Sequence, residues 1–173
     1  PTRLKVATAH KGVLWFQLET RGKAAHGARP ELGRNAVYTM ARVVNALHAQ
    51  YIPRLQRRHH DLLGTASLNV GSIRGGQQPN IVPAECRITV DRRTLPGETD
   101  REVLREIKEF LRQQGLTVTL HRDRPLACRP LETNPELPWI RQLLALARQR
   151  VPAGVDYFSD GGVLAAGGIP SVV

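Results

Sequence analysis

Four short stretches of this chain carry residue types that can do chemistry. The first, RGKAAHGARPELGRNA from Arg21 to Ala36, holds one histidine, His26, among small residues. Gly22, Gly27 and Gly33 allow close backbone approach and leave an imidazole clear of bulky neighbours. The alternative is an exposed loop histidine with no task. The second, RGGQQPN, ends in Asn80, whose carboxamide can be offered to a substrate carbonyl or carboxylate; a hairpin-like turn would use the same residues. The third, VDRR, places Arg92 two residues after Val90 at the end of a strand. An arginine there can bind a carboxylate through paired hydrogen bonds, or can form a surface ion pair. The fourth, SDGG, offers Ser159 and Asp160 ahead of an apolar run, where capping a helix is the simpler use. GxGxxG, Walker and H-E-x-x-H motifs are absent, as is any His/Asp/Glu cluster with metal-ligand spacing.

The elements that must position these residues follow from periodicity. Val13 to Thr20 reads as a strand, with β-branched and aromatic residues and a closing alternation. From Asn35, apolar residues at Val37, Met40, Val43, Val44 and Leu47 have helical spacing, and Pro53 should end that helix or lie just beyond it. A polar loop follows to Gly64. Ala66 to Arg74 and Ala84 to Thr94 read as strands joined by the Gly75–Asn80 turn, with Cys86, Ile88 and Val90 on one face. Thr99 or Asp100 can cap a helix lined by Val103, Leu104, Ile107, Phe110 and Leu111, which Gly115 stops before a strand at Leu116–Leu120. The order β-α-β-β-α-β predicts an α+β, ferredoxin-like domain, an antiparallel sheet with two helices on one face. Beyond it lie a proline-rich connection (DRPLACRPLETNPELP), a helix over Trp139–Arg150, a short helix through Ala166, and an apolar Ile169–Val173 that reads as the start of a buried strand. A stop there suggests a truncated chain.

Composition narrows the classes. With 173 residues, 41% hydrophobic and 5% aromatic, the chain suits one domain, or one and part of another, with an aliphatic core. The net charge of +10 favours anionic partners. The basic residues are scattered apart from Arg54–His60, which lacks interleaved aromatics and reads as a solvated segment rather than a nucleic-acid patch. Cys86 and Cys128 form no close-spaced pair, which suits reduced thiols in a cytoplasmic protein. No apolar run is long enough to span a bilayer.

Taken in order, GKAAHGARPELGRNA, GGQQPNIVPAECRITVDRRTLPGET and SDGGVLAAGGIPSVV resemble the zinc-dependent aminoacylase, acetylornithine deacetylase and succinyl-diaminopimelate desuccinylase family. These are co-catalytic metallohydrolases that cleave an amide next to a free carboxylate. PTRLKVATAHKG resembles the segment by which that family's chain leaves the catalytic domain and enters its lid. The resemblance covers nearly the whole chain and rests on three separated motifs around a matching domain.

The resemblance implies a division into residues 1–10 as the exit from a catalytic domain, 11–122 as the lid and dimerisation domain, and 123–173 as part of the catalytic domain. It implies a homodimer formed through the lid and a small anionic N-acyl amino acid or peptide-like substrate, with no nucleic acid and no membrane. His26 matches the lid histidine that reaches into the partner's active site, polarises the scissile carbonyl and stabilises the oxyanion. Asn80 matches a lid residue that contacts substrate, Arg92 the arginine that binds the substrate carboxylate, and Ser159 and Asp160 a loop lining the pocket. The full-length enzyme would hold two zinc ions, with cobalt or manganese as alternatives. This chain lacks the family's H-x-D segment, its paired glutamates and its last histidine ligand, so alone it is expected to bind no zinc and to be inactive. The rival reading is a non-enzymatic ferredoxin-like module for dimerisation or ligand binding.

Overall fold

The computed structural model describes residues 2–122 and 128–173, so Asp123 to Ala127 of the expected connection lie outside the described residues. Strand β1 (Ala7–His10) leads through Lys11 into β2 (Gly12–Arg21). Helix α1 (Ala36–Ala46) follows, then a π-helical turn (Leu47–Tyr51) and α2 (Ile52–Leu55). A small hairpin, β3 (His59–His60) and β4 (Gly64–Thr65), precedes β5 (Ser67–Gly75), β6 (Glu85–Thr94), α3 (Asp100–Gln113) and β7 (Thr119–Arg122). The remainder is β8 (Leu131–Glu132), α4 (Pro138–Leu146), β9 (Ala153–Val155) and α5 (Gly161–Ala166).

Strands β5, β6, β2 and β7 lie in that order in one sheet, antiparallel at every pairing. With α1 and α3 this is the ferredoxin-like arrangement expected from the sequence. Alternation along β2 and β6 sends Leu14, Phe16, Leu18, Ile88 and Val90 into one core with Met40, Val43, Val103, Ile107 and Phe110. Asn35 starts α1 by accepting hydrogen bonds from the amides of Val37 (2.9 Å) and Tyr38 (3.2 Å). Thr99 starts α3 by accepting from the Glu102 amide at 3.3 Å.

Local chemistry moves several boundaries. Pro53 does not end the helical run. The Ile52 amide bonds back to the Leu47 carbonyl, and this wider π turn carries the chain into α2, where a proline near the start lacks only an N–H that has no helical partner. The polar loop contains a hairpin instead of being irregular throughout. Strand β7 begins later than expected because Gly115, at φ +68°, closes α3 and the Leu116 amide bonds to Leu111 O at 2.9 Å. Helix α4 stops at Leu146, four residues early, because Arg148 turns left-handed at φ 52° and the Gln149 amide bonds to Leu144 O at 2.9 Å.

A second sheet, in the order β8-β1-β9, joins the two ends of the chain, with β1 antiparallel to β8 and parallel to β9. The expected strand over Ile169–Val173 reduces to Val173, which exchanges two 2.9 Å backbone bonds with Ala7, while Ile169 stays 57% exposed. The β3–β4 hairpin touches this second sheet. His60 Nε2 lies 3.1 Å from Glu132 Oε1, and a Cβ on Gly154 would come within 2.1 Å of Leu62 O.

Candidate functional site

The loop after β2 and the turn before β6 meet at the end of the main sheet far from β1. Gly27 N donates to Asn80 O at 2.7 Å, and His26 pairs with Ile81 in an isolated bridge. A Cβ at Gly27 would sit 3.0 Å from three Asn80 backbone atoms, so glycine permits this approach. His26 and Asn80 are therefore brought together, and both are exposed. The Ala28 amide donates to His26 Nδ1 at 3.1 Å. An amide can only donate, so Nδ1 is the lone-pair nitrogen and the neutral ring carries its proton on Nε2. In that tautomer the loop presents Nε2–H as a donor.

Ser159 and Asp160 lie at the opposite end, in the loop before α5. The Ser159 amide donates to His10 Nε2 at 3.3 Å, and Ser159 Oγ accepts from Gly161 N at 3.2 Å. Asp160 precedes α5 without making a side-chain cap, so the capping alternative for this pair rests only on Ser159.

Arg92 is also at this end but on the wrong face for a ligand. It is fully buried. Its Nη2 pairs with Glu98 Oε1 at 2.6 Å and its Nη1 donates to the Arg93 carbonyl. Glu98 also accepts from Arg58 at 2.8 Å and from the Leu95 amide at 2.8 Å, and Arg58 reaches Glu106 at 2.8 Å. Arg92 is thus the buried end of a charge network that runs between β6, α3 and the segment after α2 and opens to solvent at Arg58 and Glu106. The expectation that it binds a substrate carboxylate is corrected: it shares parity with Cys86, Ile88 and Val90, and alternation turns it inward. The neighbouring Arg93 emerges on the other face, with a side chain 30% exposed and held by Asp91 at 2.9 Å.

That open face carries a second set of ion pairs. Glu19 is 1% exposed and meets Arg21 (2.5 Å), Arg87 (3.0 Å) and His121 (3.5 Å). Burial pushes its carboxyl up, but the two guanidiniums outweigh this and hold it below the usual carboxylate range. A cleft of about 790 Å³ lies on the same face, lined among others by Gln17, Ser72, Arg74, Ile81, Arg87 and Thr89. None of His26, Asn80, Ser159 or Asp160 lines it, so the candidate residues do not gather around this cleft.

Two residues escaped the sequence reading. His10, fully buried at the end of β1, was absorbed into an exit segment; the buried-strand pattern Ala-Thr-Ala-His before Lys-Gly is its only signal. Arg93 was passed over for Arg92, although the period of two already separated them. Among the described residues, no group of three or more His, Cys, Asp or Glu side chains could hold a metal ion. The described residues therefore do not fit a metal centre.

Residues 8–119 match the family model described as the peptidase dimerisation domain M20_dimer. The chain is 32% identical over 127 residues to an acetylornithine deacetylase of Myxococcus xanthus, covering 72% of this chain and 32% of the relative. It is 38% identical over 100 residues to an acetylornithine deacetylase of Vibrio cholerae, covering 56% and 26%. It is 36% identical over 100 residues to a probable carboxypeptidase of Aspergillus flavus, covering 56% and 24%. The fold is similar to that of aminopeptidase PepT from Bacillus cereus, with a TM-score of 0.69, 23% identity, and 96% of this chain and 44% of that one covered. An M20 family metallo-carboxypeptidase from Sulfolobus solfataricus gives a TM-score of 0.68 at 15% identity, covering 96% and 51%. The chain therefore spans about a third or less of the curated relatives it matches, and about half of these solved chains.

Proposed function

Since the chain belongs to the M20 peptidase family, whose dimerisation domain it carries, we propose that the whole protein is a metal-dependent hydrolase of N-acyl amino acids or small peptide-like amides, acting as a homodimer. Residues 11–122 serve as lid and dimerisation domain, and residues 123–173 as part of a catalytic domain. The pair of divalent ions, zinc or in its place cobalt or manganese, belongs to residues outside this chain, and the protein is cytoplasmic. Relatives named acetylornithine deacetylase support an acylated amino acid as substrate.

The observation that carries this reading is the separation of the candidate groups. Strand β6 runs from Glu85, beside the His26–Asn80 end, to Thr94 at the β1 end. At about 3.4 Å per residue, the eight steps from Glu85 to Arg93 span about 27 Å. Groups so far apart cannot meet one small substrate in one protomer. In a symmetric dimer they can, if each lid carries its distal end to the other subunit's pocket. His26 Nε2–H then donates to the scissile carbonyl oxygen and stabilises the oxyanion as charge develops. The Asn80 carboxamide holds the substrate beside it. Ser159 and Asp160 line the pocket, and Arg93 replaces Arg92 as the group that reads the carboxylate.

Subunit mixing tests this directly. His26→Ala and Arg93→Ala versions of the whole protein should each be severely impaired. After exchange, a mixed dimer holds one intact composite site. Activity should return toward about a quarter of wild type, since random pairing makes half the dimers mixed with one of two sites working. No recovery despite demonstrated exchange would mean that both residues serve their own subunit, or none.

A further inference from the structure

His10 has no part in the reaction outlined above, yet it is fully buried and makes two directed hydrogen bonds. Its Nδ1 lies 3.0 Å from Lys11 O, and its Nε2 lies 3.3 Å from Ser159 N. A carbonyl can only accept and an amide can only donate. The two contacts together therefore force one tautomer, with the proton on Nδ1 and the lone pair on Nε2. The imidazolium form would turn a second N–H against the Ser159 amide and break the contact. Burial also holds the imidazole below its usual range.

The same short segment grips the loop at two more points. Lys11 N donates to Val155 O at 3.2 Å, and Lys11 Nζ pairs with Asp156 Oδ1 at 2.9 Å. The start of α5 packs closely beside the ring: a Cβ on Gly162 would meet His10 Cε1 at 3.0 Å and Arg129 O at 2.3 Å. The next residue, Gly12, begins the central lid strand β2 and is itself enclosed, since a Cβ there would fall 2.2 Å from Thr94 Oγ1 and 2.7 Å from Cys128 O. The residues that enter the lid are thus the residues that fix the 155–162 loop.

We propose that His10 is the positioning residue of the Ser159–Asp160 loop, its neutral imidazole locking the loop backbone to the strand that continues into the lid. The proposal rests on the reading that this loop lines the substrate pocket. It assigns His10 no contact with substrate. Movement of the lid about Lys11–Gly12 would then reach the pocket through the Ser159 amide, with no change in the loop's own sequence.

Three forms of the 173-residue chain separate the outcomes. A glutamine at position 10 can place its carbonyl oxygen near the Nε2 position, whereas an asparagine is too short. Nitrogen-detected NMR of the wild type should show His10 protonated on Nδ1 and lone-paired on Nε2. In His10→Asn, amide exchange at Ser159 to Gly162 should quicken at least tenfold, with Leu131 and Ile140 unchanged. In His10→Gln it should stay within about threefold of wild type. Unchanged exchange at Ser159 in His10→Asn overturns the proposal, as does equal loosening across β1, β8 and β9. If the loop loosens as expected but the whole protein hydrolyses acetyl-, succinyl- and carbamoyl-amino acids at the wild-type rate, the positioning role stands and the pocket reading fails.

Discussion

Arg92 and Arg93 are neighbours on β6, yet they belong to two different surfaces of one sheet. On the helix-covered face, Arg92 is fully buried and held by Glu98 and a backbone carbonyl, while its Nε is left without a partner. On the open face, Arg93 and Asp91 form a pair with exposures of 30% and 28%. A charge in the core is costly to desolvate, so it persists only where a partner meets it. A charge on the open face keeps water on one side and can exchange its partner for a ligand. Residue type alone does not mark an arginine as a binding group; the face it occupies decides.

Breaking the core side should have the largest effect. Arg92→Ala leaves Glu98 and the Arg93 carbonyl without their buried donor, and a broken buried pair costs about 3–5 kcal/mol. Arg58 and the Leu95 amide still hold Glu98, which places the loss near the lower bound. Arg92→Met fills the volume without a charge and should cost less. Urea unfolding of the 173-residue chain measures both. A loss under about 1 kcal/mol for Arg92→Ala would show that the network contributes little and that the burial contrast between the two faces has no energetic weight.

Glu19 is an intermediate case, an acid on the open face that is nevertheless covered. Glu19→Gln removes the charge that Arg21 and Arg87 meet. The expected loss is about 1–2 kcal/mol, less than for a fully buried charged bond because those arginines are 70% and 49% exposed. The pH dependence has a defined sign. The folded carboxyl titrates below its unfolded value of 4.5, so the unfolded chain takes up the proton first. The stabilisation is complete above pH 4.5 and disappears as pH falls through the folded value. The difference in urea midpoint between wild type and Glu19→Gln should therefore shrink on acidification below pH 4.5. A difference that grows instead would mean that His121 or Glu85, not Glu19, governs this face.

Much of this was legible in the sequence, and the reasons differ by region. The ferredoxin-like order could be read because α1 and α3 carry clear apolar stripes and side-chain caps at Asn35 and Thr99, and because β2 and β6 alternate. The His26–Asn80 pairing could not be read from spacing, since 54 positions separate two loops that meet through backbone contacts, among them the Gly27–Asn80 bond and the His26–Ile81 bridge. The small sheet escaped because β8 has two residues and β9 three, too few for any period. Arg92 was a different kind of miss. Its parity with Cys86, Ile88 and Val90 was available in the sequence, but residue type and position at the strand end do not by themselves report the face.

The smallest stability effect is expected at Arg93, and it distinguishes the two faces most sharply. Arg93→Ala removes a half-exposed pair with Asp91, so the urea midpoint of the chain should move by less than about 1 kcal/mol of stability. Function should respond in the opposite proportion. If Arg93 reads the substrate carboxylate, its loss should weaken the free acid by about 1.5–3 kcal/mol, or roughly 10–150-fold in kcat/KM of the whole protein. The corresponding carboxamide substrate, which lacks the charge, should be affected far less. Arg93→Lys should restore only part, because an ammonium cannot reproduce the planar fork. Arg92→Met serves as the control: it sits one residue away and should lower stability while leaving the preference for acid over amide intact. Equal losses for acid and amide in Arg93→Ala, or a lost preference in Arg92→Met at a temperature where it is folded, would place carboxylate recognition elsewhere and leave Arg93 as an ordinary surface pair with Asp91.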